Sequence, residues 1–150
     1  MLSKVMRYCN NYFWTKICQV TLVSFDSDNN TISSADIAEG DFLVGQYVRV
    51  SETILNNEVY KVTAQESGSI TVDGTLYSES GVNCKIWGLS VPNDFIELVS
   101  NITSYNSKIT TLKGVTNWSE GNLSKSYDKK SGTWESVFSI ELSAYRKLRW

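Results

Sequence analysis

The stretch "DFLVGQYVRVSETILNNEVYKVTA", residues 41–64, alternates in two places, at Tyr47–Val50 and again from Val59. Val48 and Val50 fall on one face, and Tyr47 and Arg49 fall on the other. After a turn at Asn56–Asn57 the alternation resumes, with Tyr60, Val62 and Ala64 opposite Val59, Lys61 and Thr63. A period of two is the mark of a half-buried strand, so this stretch predicts a pair of antiparallel strands.

The same period extends in both directions. Upstream, "QVTLVSF" begins at Gln19 and ends in the turn cluster Asp26–Asn30. Downstream, "GSITVDGTLYS" carries Asp73-Gly74, a dipeptide that favours hairpins because both residues tolerate positive φ. "CKIWGL" reads as a last short strand. About six short strands between residues 19 and 89 predict a small antiparallel sheet or barrel.

Both flanks have a helical period. Leu2, Val5, Met6, Cys9, Tyr12 and Phe13 recur at three- and four-residue steps. In "VPNDFIELVSNITSY", Val91, Phe95, Leu98, Val99, Ile102 and Tyr105 share a face, with Pro92 at the first helical position. A final helix is expected from Thr133 as its cap, with Trp134, Val137, Phe138, Tyr145 and Leu148 on one face, widened by Ile140 and Leu142. The turn-rich segment between them reads as an extended arm or hairpin anchored by Leu123 and Tyr127. The fold class expected is therefore α+β: a small helical bundle (the N-terminal helix plus two C-terminal helices) with an inserted antiparallel β subdomain and an extended arm. The domains expected are residues 1–18 and 90–150 as the helical part, with the arm at 114–130, and residues 19–89 as the insertion.

Composition narrows the chemistry. The chain has no histidine, which removes the commonest general base and metal ligand. Three cysteines, an odd number with no CxxC, read as buried free thiols. "DSDNNT" opens like a calcium loop, but Thr31 stands where a glycine is needed and Ile37 where a bidentate glutamate is needed. Sequons at Asn29, Asn101, Asn117 and Asn122 fit chance matches in an Asn- and Ser-rich chain. No phosphate-cradling glycine loop and no paired carboxylates stand out. No catalytic residue, metal or cofactor is assigned, and the expectation is a protein that is not an enzyme. The rival enzyme reading, a carboxylate-based hydrolase, predicts a deep pocket holding two acids with shifted pKa values. No apolar run reaches the roughly 20 residues of a membrane span, and the N-terminus lacks a signal-peptide core, so synthesis in a cytoplasm is expected.

The C-terminus sets Tyr145, Arg146, Lys147, Leu148, Arg149 and Trp150 in one run, in a chain of formal net charge -2. Tyr, Trp and Arg are the residue types that anchor interfaces, so this run reads as a docking element.

With its polar arm "SEGNLSKSY" and its ending "AYRKLRW", the C-terminal third resembles the head–tail connector proteins of tailed bacteriophages, the adaptor or head-completion group. "VGQYVRV", "NNEVYKV" and "VPNDFIELVSNI" resemble the β-rich piece and the helix of related chains. The resemblance implies a non-enzymatic virion protein of the phage neck, made in the host bacterial cytoplasm. It implies a homo-oligomeric ring, usually a dodecamer, that joins the portal to the tail and extends the DNA channel. DNA would pass through without sequence-specific binding. The partners implied are the chain itself, the portal protein and the next neck or tail-completion protein, with no membrane. Residues 145–150 would dock on the portal, and Trp118, Leu123 and Tyr127 would belong to an intersubunit arm. The alternative is another tail or baseplate component whose β subdomain is a protein-binding module.

Overall fold

The computed structural model describes the backbone of residues 1–111, 117–120, 123–126 and 133–147, and the side chains of residues 1–109 and 133–147. The chain divides into two units, Tyr12–Val91 and the combination of Met1–Asn11 with Pro92–Trp150.

In the first unit six strands close into a barrel. They are β1 (Trp14–Asp26), β2 (Thr31–Ser33), β3 (Tyr47–Ser51), β4 (Val59–Glu66), β5 (Ser69–Asp73) and β6 (Glu79–Leu89), in the spatial order β1-β2-β5-β4-β3-β6. Every neighbouring pair is antiparallel. Closure is made by β1 and β6, which pair from Trp14↔Leu89 to Phe25↔Glu79. The register slips around Thr21 and Leu22, where Leu22 takes φ 49. A bulge of this kind bends a strand and increases its twist, as a barrel wall requires. The conformation is costly for leucine, by about 1–2 kcal/mol. Hydrogen bonds hold it: the Thr21 N–H and hydroxyl both donate to Asp36 Oδ2 (2.7 and 2.6 Å), and the Leu22 N–H donates to Asn83 Oδ1 (3.2 Å).

Two connections cross the mouths of the barrel, and each drops apolar side chains into it. Residues 34–46 run from β2 past β5 and β4 to β3 and bury Ile37 and Phe42. Residues 74–78 run from β5 past β4 and β3 to β6 and bury Leu76. Both plugs join a single apolar cluster with Val20, Val23, Phe25, Ile32, Val48, Val50, Val62, Ile70, Val72 and Ile86. The interior is thus packed with side chains and is not a channel.

The second unit holds α1 (Leu2–Cys9), α2 (Asn93–Thr111), α3 (Trp134–Val137) and α4 (Ser139–Ser143), with a separate two-stranded sheet of β7 (Asn117–Glu120) and β8 (Leu123–Ser126). Its buried apolar residues are Val5, Met6 and Cys9 on α1, Phe95, Leu98, Val99 and Ile102 on α2, Trp134 on α3 and Leu142 on α4. Tyr8 meets Trp134 edge-on at 5.2 Å, and Tyr105 meets Phe138 edge-on at 5.7 Å.

The expected fold class is overturned. The chain is mostly a closed six-stranded antiparallel β-barrel with small helices, not a small helical bundle carrying an inserted β subdomain. The lengths explain why. α1 has 8 residues, α3 has 4 and α4 has 5, too short for a bundle core, whereas β1 has 13 and β6 has 11. The helix expected to run through Tyr12 and Phe13 ends at Cys9, because Asn10 turns left-handed at φ 51 and closes it. The final helix expected from Thr133 is broken at Phe138, Thr133 makes no side-chain cap bond, and Ile140 is exposed. Asp73-Gly74 is not a hairpin turn, since β5 pairs with β2 and β4 and not with β6. Gly74 serves a different need: at φ +140 its position would set a Cβ 3.0 Å from the Tyr60 ring.

The plug assignment gives a direct expectation. Leu76→Ala should lower stability by about 3 kcal/mol, as deletion of a core leucine does. Tyr77→Ala, next door and half exposed, should cost under about 1 kcal/mol. Urea denaturation of both variants checks this, and equal losses would contradict the plug.

Candidate functional site

Tyr145, Arg146 and Lys147 are drawn into the helical unit's own structure. The Tyr145 hydroxyl donates to Asp94 Oδ2 at 2.6 Å, and its ring meets Phe95 edge-on at 4.9 Å. The Asn11 side-chain amide donates to the Tyr145 carbonyl at 3.1 Å. The Arg146 guanidinium lies 4.5 Å from the Tyr8 ring centroid, and the Lys147 N–H donates to the Cys9 carbonyl at 2.9 Å. Leu148, Arg149 and Trp150 lie outside the described residues, as does Tyr127. Trp118 falls in β7 and Leu123 in β8, where the backbone alone is described. The structure therefore gathers 145–147 with α1 and α2, while the arm positions share only the register of β7 and β8.

A groove of about 310 Å³ in the helical unit is lined by Asp94, Glu97, Asn101, Glu141 and Tyr145, among others. The hydrogen bond from Tyr145 holds the Asp94 carboxyl below the usual carboxylate range, and in return raises the Tyr145 phenol. A general acid needs its carboxyl shifted in the other direction. Burial pushes the Cys84 thiol up to about 11 and raises Cys9. Burial raises the half-buried Cys18 as well, so all three stay as thiols at neutral pH. At "DSDNN" the Asp26 carboxylate accepts from the Asp28 and Asn29 N–H groups (2.8 and 3.3 Å) and from the Asn29 side chain (2.7 Å), which makes a self-capped turn. Among the described residues no group of three or more Cys, Asp or Glu is placed to hold a metal.

Two surfaces of the barrel were not anticipated. The first is an aromatic ladder on its outer wall. Tyr12 stacks on Trp14 at 4.9 Å, Trp14 meets Trp87 at 4.5 Å, and the Arg49 guanidinium sits 4.0 Å from the Tyr12 ring centroid. Adjacent strands create it, since Arg49 and Trp87 are register partners.

The second is the end of the barrel built by connections 52–58 and 74–78. Asn56, fully buried, stitches them together. Its side-chain amide donates to the Tyr77 carbonyl (2.8 Å) and to Glu79 Oε2, and its Oδ1 accepts from the Tyr77 N–H (2.8 Å). Glu79 also accepts from the Ile54 and Leu55 N–H groups at 3.1 and 3.3 Å. This network fixes the backbone while leaving Ile54 85%, Leu55 54% and Tyr77 55% exposed. One signal in the sequence could have pointed to it: "ETILNNE" sets two large aliphatics inside a polar turn.

Charge is divided between the units. Tyr12–Val91 holds ten acidic and four basic residues, a net of −6; the remainder holds six acidic and ten basic residues, a net of +4, and together these give the chain's −2.

No protein-family profile matches the chain, and no curated protein matches it.

The Asp94–Tyr145 pair has a measurable consequence. Tyr145→Phe should raise the Asp94 pKa toward the ordinary carboxylate value, while the ring contact with Phe95 keeps the melting temperature nearly unchanged. Because the folded pKa is depressed, what the pair contributes is present above the unfolded carboxylate value and fades as pH falls through the folded one. The effect is small at so exposed a site. Side-chain NMR titration of Asp94 in both proteins checks it, and an unmoved Asp94 would refute the assignment.

Proposed function

We propose that this chain is a non-enzymatic structural protein of a bacteriophage neck. Copies assemble into a homo-oligomeric ring, a dodecamer in the pattern the resemblance implies, which joins the portal to the tail and extends the DNA channel. The observation that carries this reading is the β7–β8 hairpin, which forms a two-stranded sheet of its own, apart from the barrel sheet. An isolated two-stranded hairpin is marginal in water and leaves both outer edges unpaired. Such an element is complete only when another surface receives it, as in the intersubunit arm that the connector resemblance implies. The division of charge between the units supports the same reading, because opposite charges on one chain favour head-to-tail contacts that close into rings.

Of the proposed portal-docking run, Tyr145, Arg146 and Lys147 already serve the chain's own helical unit. The burden of docking then falls on Leu148, Arg149 and Trp150. A buried tryptophan anchor is worth about 2 kcal/mol or more at an interface.

The experiment is the mass of the assembly. Alone, the chain should sediment as a monomer or a weak associate. With portal protein it should form a closed ring, and deletion of residues 117–126 should abolish the ring while leaving the barrel folded. Deletion of 148–150 should remove portal binding and leave the melting temperature nearly unchanged. A mass that does not change on adding portal, or a ring that survives loss of the hairpin, would overturn the reading.

A further inference from the structure

The barrel end carrying Ile54, Leu55 and Tyr77 has a feature that packing within its own unit does not explain. Leu76 from the same connection fills the barrel mouth, whereas Ile54, Leu55 and Tyr77 stay in solvent on a backbone held by Asn56 and Glu79. Fixing a loop this firmly in order to display two aliphatics and an aromatic fits a pre-organised contact surface, because the ordering cost of binding has already been met in folding.

Its charge states what it accepts. The three connections at this end, with their flanking strand residues, run over 26–31, 51–59 and 73–79. They contain Asp26, Asp28, Glu52, Glu58, Asp73 and Glu79 and not one lysine or arginine. Two lysines stand beside these acids: Lys85 pairs with Glu52, and Lys61 is the register partner of Asp73, so the six acids outnumber them. The end is therefore an apolar knob in an acidic surround, and its complement is an apolar segment flanked by lysines.

The chain contains such a segment. The hairpin Asn117–Glu120 and Leu123–Ser126 brings Trp118 opposite Lys125 in register and includes Leu123; with Tyr127, Lys129 and Lys130 following in sequence, three lysines outnumber Glu120 and Asp128 over residues 117–130. We infer that this barrel end is the seat for the β7–β8 hairpin of a second copy of the chain. The inference rests on the ring reading and names the surface on which the arm lands. A seat and an arm on different parts of one chain make a heterologous contact, the kind that builds a ring where its rotation closes.

The test uses full-length chains and reads the contact even where it is weak. The arm variant K125E/K129E/K130E is labelled with 15N, so its own arm is disabled and its seat is intact. It is titrated with the unlabelled seat variant I54D/L55D, whose arm is intact. Saturable shifts are expected at the amides of Ile54, Leu55 and Tyr77, and moving the reversals D28K and E58K into the labelled chain should weaken binding at least tenfold. Thermal melts of each variant confirm that it is folded. No shifts at these amides, or shifts unaffected by the charge reversals, overturn the seat. So do seat amides that already differ between the dilute wild type and the arm variant, since they would mark a contact within one chain. A ring that forms with portal while the seat stays silent removes this inference alone. Seat shifts without any ring on adding portal leave the seat standing and remove the neck reading.

Discussion

The fold depends on one pairing between strands far apart in the chain. β1 and β6 are the first and last strands of the barrel, and their ladder converts an open sheet into a closed one. Closing a loop this long costs chain entropy before any contact repays it, although the cost grows only slowly with length. The repayment comes from the long ladder and from the apolar cluster that closure seals. Closure also sets where the barrel's ends lie. Trp14 is the register partner of Leu89, and the Ser90 N–H donates to the Phe13 carbonyl at 2.9 Å. The chain thus enters and leaves the barrel at adjacent strand ends. Gly88 belongs to this constraint. It pairs with both Lys16 and Val48, and a Cβ there would lie 2.9 Å from Gln46 Nε2 and 3.2 Å from Thr15 Oγ1.

How much of this was legible depended on whether burial alternates. In β3 and β4 the pattern of Val48, Val50, Tyr60 and Val62 is the barrel interior itself, and the strands stand where the period of two put them. In β1 no residue from Trp14 to Gln19 is fully buried, and Cys18 packs only partly against the core, so no period marked the strand before Gln19. The spatial order β1-β2-β5-β4-β3-β6 could not be read either, because a crossing connection and a hairpin share their turn residues. Asp73-Gly74 shows this: the glycine is required by the Tyr60 ring beneath it, which no local pattern contains.

The site was less legible than the fold. Tyr145, Arg146 and Lys147 have the composition of an interface anchor, but composition does not say whether the partner is another chain or the same one. Their partners, Asp94, Phe95, Tyr8, Asn11 and Cys9, lie far away in sequence and meet them through tertiary packing. Asn56 illustrates the opposite failing. It reads as an ordinary turn asparagine, yet it is fully buried and ties two connections together.

A finished interior bears unfinished surfaces. The barrel is closed and packed at both mouths, whereas Ile54, Leu55 and Tyr77 lie outside its apolar cluster and β7–β8 forms a two-stranded sheet of its own. Hydrogen exchange of the free chain against the chain assembled with portal tests this most directly. Protection should rise at 52–58, 74–78 and the two hairpin strands, and stay unchanged along the β1–β6 seam. Protection gained throughout the barrel strands, with none at those surfaces, would contradict the account, because assembly would then be completing the fold rather than using it.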